Sequence, residues 1–297
     1  MTDLIAALDI GGTKTQLVIE EIGGRRVVDV TEASQEWEAE PPRQAADFIV
    51  ARVLKHLPAD GRVIALAFGA QGIDRPETAH ALAQALEAMG FRTTAVNDAS
   101  LLIAAAGFAE GIGVIAGTGA IAVGADAGGR FMAAGGWGWA LGDDGGASAL
   151  VREAAKAVLY ANDSGKPDDG LLTALIRDFG VADVERLARK VNDDPTVENW
   201  APHAPAIFAA ADAGSALAVR VIADGASALA DNVAQLLQRG AVGKDVVVAG
   251  SVFVNQPRLV EAFKSALAAR HAHLVVHLLA VAPVEGAVFL ARKAAIK

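Results

Sequence analysis

A turn rich in glycine and threonine occurs twice in this chain, each time between apolar runs. The first copy is Asp9-Ile10-Gly11-Gly12-Thr13-Lys14-Thr15 and the second is Gly117-Thr118-Gly119. A second pair, Gly24-Arg25 and Gly129-Arg130, keeps the same spacing of 105 residues (12 to 117, and 24 to 129). Turns repeated in one register indicate an internal duplication. They constrain the fold to two related halves, each beginning with a hairpin that turns at glycine.

Composition excludes several classes of protein. The 297 residues suffice for two domains, and 53% hydrophobic residues with only 5% aromatics are typical of a helix-rich soluble α/β protein. The lack of cysteine excludes disulfides, thiolate zinc sites and iron–sulfur clusters, and it fits a cytoplasmic location. A net charge of −9 without a basic tract argues against nucleic-acid binding. We expect neither a signal peptide nor a membrane span, since no apolar run approaches roughly 18 residues.

Apolar periodicity and turn residues predict the same order of elements in both halves, β-β-β-α-β-α-β-α, and therefore a duplicated α/β architecture. The expected domains are 1–106, joined by a C-terminal helix at 284–297, and 107–283, with a helical insertion of about 163–240. The predicted elements are strands at 4–11, 15–21, 26–31, 63–68, 93–96, 130–134, 245–249 and 273–279, a second hairpin over 113–125, helices at 76–89 and 99–108, helices starting near Pro42, Ala147, Pro257 and Pro283, and a long helical region over about 203–239.

The first turn has the chemistry of a phosphate-binding loop. Consecutive backbone N–H groups in a Gly-Gly-Thr turn are not obstructed by Cβ atoms and can point at phosphate oxygens. Thr13 adds a hydroxyl and Lys14 a positive charge, and Asp9 can hold Mg²⁺ through water. The second copy, Gly117–Gly119, has Val114 where the first has Asp9, so it offers backbone donors alone. The alternative is that both turns are ordinary hairpins whose glycines allow a positive φ.

Six short motifs follow one another over residues 9–287. They are Asp9–Thr15, Asn97-Asp98-Ala99, Gly117-Thr118-Gly119, the block from Gly135 to Asp143 (GGWGWALGD), Ala249-Gly250-Ser251-Val252 and Val284-Glu285-Gly286-Ala287. Together they resemble the N-acetylglucosamine kinase family, also called the BadF/BadG/BcrA/BcrD ATPase family, of the actin/hexokinase/Hsp70-like superfamily. The first motif also resembles the ROK glucokinases, whose usual cysteine-rich zinc motif this chain lacks. The resemblance implies duplicated ribonuclease H-like (actin-like ATPase) domains with an interdomain cleft that holds Mg-ATP.

The resemblance also implies a role for each motif. Asp98 would be the catalytic base toward a sugar hydroxyl, although Asp98 or Asn97 can instead cap the next helix. Asp143 would contact the sugar, with helix capping by Asp143 or Asp144 as the alternative. The turns at Gly250-Ser251 and Gly286 would contact adenosine, or they are ordinary strand–helix turns. The implied binding residues are Gly11, Gly12, Thr13, Lys14, Gly117, Thr118 and Gly119 for the ATP phosphates, Gly250, Ser251 and Gly286 for adenosine, Gly72, Asp98 and Asp143 for the sugar, and Asp9 for Mg²⁺ through water.

Two segments depart from the pattern of the family. Ala120-Ile121 stands where many amino-sugar members have Ser-Asn, and the segment 35–38 lacks the Asn that members tend to carry for the sugar. Both departures concern sugar contacts and leave the phosphate chemistry unchanged. Trp137 and Trp139 either form an apolar wall under the sugar or pack within the protein.

These residues and the resemblance predict an ATP-dependent kinase that uses ATP and Mg²⁺. Its acceptor would be a hydroxyl, expected to be O6, of an amino sugar such as N-acetylglucosamine or glucosamine. We expect a cytoplasmic homodimer whose partner is a small-molecule sugar and which binds neither nucleic acid nor membranes. One alternative is a nucleotide or sugar sensor without turnover. Another is an ATPase activator of 2-hydroxyacyl-CoA dehydratases, whose iron–sulfur cluster needs cysteines that are absent here.

Overall fold

The chain forms two compact units in a computed structural model that describes residues 1–11, 14–35, 37–73 and 75–296. The first unit comprises Met1–Gly113, Gly124–Phe131 and Leu279–Lys297, and the second comprises Val114–Val123 and Met132–Leu278. The domain boundaries expected from the sequence differ from these units in several short segments near residues 107–131 and 279–283. They stay a prediction.

Strands and helices alternate in the expected order. In the described residues the strands are β1 (Thr2–Ile10), β2 (Lys14–Glu21), β3 (Arg26–Ala33), β4 (Gly61–Ala70), β5 (Thr93–Asn97), β6 (Ile112–Ala116), β7 (Ala120–Ala125), β8 (Phe131–Gly135), β9 (Asp245–Ala249) and β10 (Val275–Leu278). The helices are α1 (Pro42–His56), α2 (Pro76–Glu87), α3 (Leu101–Ala105), α4 (Ala147–Asp163), α5 (Leu171–Phe179), α6 (Val184–Asp193), α7 (Val197–Trp200), α8 (Ala204–Asp212), α9 (Ala216–Gln238), α10 (Ser251–Asn255), α11 (Pro257–Ala268) and α12 (Val284–Ile296).

The first sheet has the order β3-β2-β1-β4-β5 and is covered by helices on both faces. β1 runs antiparallel to β2 and parallel to β4, which in turn runs parallel to β5. Alternate residues of a strand point to opposite faces. Leu4 and Leu8 of β1 therefore pack in a core with α1 and α2, while Ile5 and Ala7 pack with α3 and α12. Since β1, β4 and β5 are parallel, their carboxyl ends meet at one edge of the sheet.

The second sheet has the order β10-β9-β6-β7-β8, and β10 runs parallel to β9. Taken from its other end, this order is β8-β7-β6-β9-β10, which repeats that of the first sheet. The predicted duplicated α/β architecture is thus confirmed. The helices α4–α9 follow β8, where the sequence predicted a helical insertion. No helix in the described part of the chain is both long and apolar enough to cross a membrane.

Three predicted elements differ from the structure. The helix expected over 99–108 is a 3-10 turn, Asp98–Ser100, followed by the short α3, and Gly107 after it has a φ of +83°. The helical region 203–239 is two helices, because Gly214 has a φ of +101° and the Ser215 hydroxyl caps α9 by accepting from the Ala218 N–H. The last strand is shorter than predicted, since His273 lies outside β10.

Candidate active site

Two carboxylates lie at the carboxyl ends of parallel strands in the first unit. Asp9 is next to last in β1, and Asp98 directly follows β5. Between these strands β4 carries Gly69, which is paired in register with Asp9. A Cβ atom on Gly69 would lie 3.0 Å from the Asp98 Cα, so glycine leaves the room that Asp98 occupies. The structure therefore brings the predicted metal ligand and the predicted base to one edge of the sheet.

The electrostatics of Asp9 favour a cation. Burial, and after it the charge of Asp98, raise the pKa of Asp9 from its ordinary 3.8 to about 7, against a lowering by Lys14. Two carboxylates close together are stabilised by a divalent ion, and Mg²⁺ in proteins is commonly held by one or two carboxylates, waters and substrate phosphates. The described residues contain no group of three or more His, Cys, Asp or Glu placed to hold a metal. This donor set thus fits a Mg²⁺ that keeps most of its ligands as water and phosphate.

The 3-10 turn that carries Asp98 is held by hydrogen bonds from its own backbone to side chains. The Ala99 N–H is donated to Asn97 Oδ1 at 3.0 Å and to Asp98 Oδ1 at 2.9 Å. Asn97 is buried, and its Nδ2 donates to the Ile73 carbonyl at 3.2 Å. The capping alternative is therefore observed for Asn97, which is the N-cap of the 3-10 turn Asp98–Ser100, whereas Asp98 is the first residue of that turn. This capping fixes the backbone of Asp98 and is compatible with catalysis, because a carboxylate accepts hydrogen bonds at two oxygens.

The turn around Gly72 is anchored close to Asp98. Gly72 is exposed with a φ of +85°, and the Trp37 Nε1–H donates to the Gln71 carbonyl at 3.0 Å on one side of it. On the other side the Ile73 carbonyl accepts from Asn97, the neighbour of Asp98. The predicted sugar-contacting residues of the first unit, Gly72 and Asp98, are thus tied to one another through a buried side chain.

The first glycine loop is described only at its ends. The Gly11 N–H donates to the Lys14 carbonyl at 3.0 Å, which closes the turn. Lys14 begins β2 and is exposed. Gly12 and Thr13, two of the predicted phosphate-binding residues, lie outside the described residues, so their role stays a prediction.

The second glycine loop has its carbonyls hydrogen bonded and two of its backbone amides without a described acceptor. Its carbonyls are occupied, because the first turn of α4 donates the Ala147 N–H to Gly117 at 2.8 Å and the Ser148 N–H to Thr118 at 3.2 Å. The Gly119 carbonyl accepts from the Gly117 N–H at 2.9 Å. Within the described residues no acceptor is hydrogen bonded to the N–H of Thr118 or Gly119. Two adjacent amides without an acceptor can both donate to an anionic oxygen.

Asp143 packs against this loop. It has a φ of +58° and is the sole non-glycine residue with a positive φ in the described chain. A Cβ atom on Gly119 would overlap the Asp143 carboxylate, so the glycine is needed for the contact. Burial raises the pKa of Asp143, while hydrogen bonds from the N–H groups of Gly138 and Ala120 lower it and Asp144 raises it. The structure thus places the predicted phosphate-binding Gly119 in contact with the predicted sugar-binding Asp143.

The sequence left two alternatives for the residues around Asp143, namely helix capping by the aspartates and packing by the tryptophans. Neither Asp143 nor Asp144 caps α4, because the N-cap is Gly146, which makes no side-chain cap. Trp139 packs edge-on against Trp200, with ring centroids 4.8 Å apart, as the packing interpretation predicted. Trp137 does not follow the packing interpretation, since 77% of its surface is exposed.

The predicted adenosine residues lie in two different settings. Gly250 follows β9 with a φ of +101° and packs against the Ala116 backbone, and Ser251 begins α10 near Gly117. Gly286 is not in a turn as predicted. It is buried in the first turn of α12, where its missing Cβ makes room for the Leu101 carbonyl. Packing explains this glycine, and contact with adenosine stays a prediction for all three residues.

The match to known proteins covers nearly the whole chain. Residues 8–291 match the BadF/BadG/BcrA/BcrD ATPase family. The chain belongs to this family. A candidate N-acetylglucosamine kinase of Chromobacterium violaceum has a similar structure, with a TM-score of 0.69 at 21% identity over 97% of this chain and 98% of that one. At this identity the likeness shows the fold alone, and it agrees with the predicted actin-like architecture.

Two relatives of this BadF/BadG/BcrA/BcrD ATPase family member are sugar kinases. The N-acetylmuramic acid/N-acetylglucosamine kinase of Clostridium acetobutylicum is 27% identical over 182 residues. That alignment covers 59% of each protein, so the chain spans less than two thirds of this relative. The N-acetyl-D-glucosamine kinase of Dictyostelium discoideum is 24% identical over 262 residues, which is 82% of each protein.

Sequence reasoning missed one residue in each unit, Gly69 in the first and Arg152 in the second. Gly69 was visible as a single glycine within an apolar strand, a pattern that indicates close approach of another backbone. Arg152 of α4 donates to the carbonyls of Trp139 and Gly142, in the loop that ends at Asp143. Backbone carbonyls leave no trace in the sequence, so no pattern could have identified the partners of Arg152.

Proposed function

We propose that this chain is an ATP-dependent kinase that transfers the γ-phosphoryl group of ATP to a sugar hydroxyl. The observation that carries the proposal is the carboxylate pair Asp9 and Asp98 at the shared end of parallel strands. Membership of an ATPase family and the sugar-kinase relatives support it. Phosphoryl transfer to an alcohol needs an acceptor for the hydroxyl proton and positive charge for the phosphates. Asp98 can accept the proton, and Asp9 can hold the Mg²⁺ that supplies the positive charge.

Asp98 is the proposed general base. The sugar hydroxyl oxygen forms the new bond to the γ-phosphorus, the bond from that phosphorus to the ADP oxygen breaks, and the hydroxyl proton passes to the Asp98 carboxylate. The hydrogen bonds of Asn97 and Asp98 to the Ala99 N–H hold this carboxylate at the end of β5. Its fixed position lowers the entropic cost of aligning base and hydroxyl.

Asp9 is the proposed holder of Mg²⁺, through water. When bound, this ion would neutralise the charge of the β- and γ-phosphates. The raised pKa of Asp9 reflects burial and the nearby Asp98, and both effects are offset when a cation is present. Lys14, exposed at the start of β2, is a further source of positive charge in the first unit.

The second unit is proposed to bind through its backbone and one carboxylate. The amides of Thr118 and Gly119, which lack a described acceptor, suit phosphate oxygens. Asp143, half-buried beside Gly119, suits the hydroxyls of a sugar, because a carboxylate can accept from two neighbouring hydroxyl groups at once.

The finer assignment is an amino sugar phosphorylated at O6, with N-acetylglucosamine and glucosamine as the first candidates. The names of both relatives support an amino sugar. A primary hydroxyl such as O6 is also the least hindered acceptor on a hexose. A homodimer and a cytoplasmic location, both expected above, belong to the same proposal.

A substrate panel tests this function. ADP release is followed with Mg-ATP and glucosamine, N-acetylglucosamine, glucose or N-acetylmuramate, with ATP alone as the control. We expect an amino sugar to accelerate ADP release at least about a hundredfold over ATP alone, because closure around an acceptor excludes water. Light scattering of the same sample gives the oligomeric state.

The panel also separates the alternatives. ATP binding without any sugar-stimulated ADP release would contradict the kinase and favour the sensor without turnover. Strong ADP release that is indifferent to every sugar would favour an ATPase. Turnover with glucose and with none of the other sugars would support a kinase and overturn the amino-sugar assignment.

A further inference from the structure

We propose that Arg152 is a positioning residue for the sugar, because its guanidinium clamps the loop 137–144 and holds the Asp143 carboxylate in one orientation. The inference rests on the proposed function, which assigns Asp143 to the sugar. Arg152 itself lies in α4 and acts on the sugar through this loop and Asp143.

The contacts of Arg152 are directed at the backbone just before Asp143. Its Nη1 donates to the carbonyls of Trp139 and Gly142, the latter at 3.1 Å. Its Nη2 donates to Asp144 Oδ1 at 2.7 Å, on the other side of Asp143. One planar group thus binds the loop before and after the residue that faces the sugar. Arg is suited to this because its donors lie in a rigid fork.

An ion pair alone would not produce this arrangement. Arg152 also donates from Nε to Glu153 at 2.8 Å, and its side chain is only 18% exposed. Asp144 and Glu153 would suffice to balance the charge of Arg152. The two bonds to carbonyls add nothing to that balance, but they fix the path of the loop. A part-buried guanidinium that donates hydrogen bonds to a loop backbone acts as a clamp.

Asp143 needs such a clamp because of its backbone. A positive φ on a non-glycine residue is strained and persists only where the surroundings enforce it. Asp143 has a φ of +58°, and its carboxylate accepts from the Gly138 N–H at 3.3 Å, a long hydrogen bond, and from the Ala120 N–H. Without Arg152, the loop can relax toward an ordinary backbone conformation and carry the carboxylate with it.

The helix that holds Arg152 also holds the second glycine loop. The first turn of α4 donates to the carbonyls of Gly117 and Thr118, and Arg152 lies one turn further along. A single helix thus positions both the amides of this loop and the Asp143 carboxylate. A displacement of the Asp143 carboxylate by about 1 Å would slow turnover, since a misplacement of this size can cost about a hundredfold in rate.

Kinetics of Arg152→Ala and Arg152→Lys test the clamp, with Arg258→Ala as the matched control. Arg258 makes two hydrogen bonds to Asp212 in the same unit and donates to no carbonyl of the loop. We expect Arg152→Ala to raise the sugar KM about tenfold or more with the ATP KM changed less than about twofold. Guanidinium at about 50 mM, far below denaturing concentrations, should restore the sugar KM of this variant and leave Arg258→Ala unchanged.

Hydrogen exchange of residues 137–146, followed by mass spectrometry without any substrate, is the second measurement. The amides of Gly142 and Gly146 make hydrogen bonds to carbonyls within this loop, so their exchange reports its opening. We expect faster exchange in Arg152→Ala and Arg152→Lys than in wild type or Arg258→Ala.

The outcomes separate the clamp from the function. Exchange unchanged in both Arg152 variants would overturn the clamp, whatever the enzyme does. Faster exchange with an unchanged sugar KM would overturn the positioning role. Should Arg152→Ala fail to fold, Arg152→Lys decides, since lysine keeps the charge but not the fork. A wild-type chain that phosphorylates no sugar would refute the proposed function, while the exchange result would still decide the clamp.

Discussion

In the first unit the strand before the glycine loop carries Asp9, whereas the equivalent position in the second unit is Val114, which is fully buried. The contrast continues at the edge strands. β5 is followed by Asp98, while the corresponding β10 is followed by Leu279. The first unit therefore has a carboxylate pair, and the second has a loop with two amides that lack a described acceptor. The order of the strands is the same in both units, and the side chains at the strand ends differ.

The largest expected effect concerns Asp98, whose place after the edge strand is taken by Leu279 after β10. Asp98→Asn keeps the size and the hydrogen-bonding geometry of the side chain but removes a proton acceptor. We expect kcat to fall by about 10²–10⁴-fold with ATP binding retained. ADP release and calorimetric titration of ATP check this, with Asp47→Asn on the exposed face of α1 as the control. Turnover within a few-fold of wild type would remove Asp98 from the mechanism.

The second prediction tests the glycine between the two carboxylates. In Gly69→Ala the new Cβ would lie 2.5 Å from Leu101 Cγ and 3.0 Å from the Asp98 Cα, so β5 or the turn after it must move. We expect kcat to fall at least about tenfold and stability by about 1–3 kcal/mol. The control is Gly23→Ala, since nothing lies within 4 Å of a Cβ at that position. An active, equally stable Gly69→Ala would show that close approach at β4 is unimportant.

A third prediction uses pH to measure the unusual carboxylate of the first unit. The folded chain holds a proton on Asp9 up to a pKa of about 7, against 3.8 ordinarily, so the native state binds more protons between these values. The stability contributed by this group is therefore full below about pH 4 and is lost as pH rises through 7. Its total is at most about 4 kcal/mol.

Urea unfolding in EDTA from pH 4.5 to 8 checks this prediction, with Asp9→Asn as the comparison. Wild type should lose stability relative to Asp9→Asn as the pH rises, and Mg²⁺ at pH 8 should recover part of the loss. Parallel stability curves for the two proteins would show that the pKa of Asp9 is ordinary.

The smallest effect is expected in the second unit. Gly119→Ala places a Cβ atom where the Asp143 carboxylate lies, so the carboxylate must turn away. We expect the sugar KM to rise about three- to tenfold with kcat less affected, since the change concerns binding and not proton transfer. Initial rates over a range of sugar concentrations measure it. A rise in the ATP KM alone would assign Asp143 and its loop to the nucleotide.

The parts of the structure that were predictable are those with a local cause. Glycine turns between apolar runs gave both hairpins, and the apolar run 245–249 matches β9 residue for residue. Asp9 and Asp98 were identifiable as strand-end carboxylates, and the order of parallel strands then placed them at one edge. Periodicity could not reveal the break at Gly214, because the apolar pattern of the region continues on both sides of it.

Contacts between distant residues were not predictable. Gly286 lets α12 approach the Leu101 carbonyl, a contact that no local pattern reveals, while its expected contact with adenosine stays a prediction. Arg152 and the positive φ of Asp143 depend on the path of a loop that has no repeating pattern. In both places the determining partner is a backbone group, which every residue type carries.

Phosphorus NMR of wild type with Mg-ATP and glucosamine or N-acetylglucosamine measures whether the carboxylate pair of the first unit serves transfer of phosphate to a sugar. We expect a sugar phosphate that grows in step with ADP and whose phosphorus couples to the protons at C6, and its formation by Asp98→Asn at least about a hundredfold more slowly. Inorganic phosphate as the sole new product of wild type, or equal sugar phosphate from both proteins, would contradict this role of the pair.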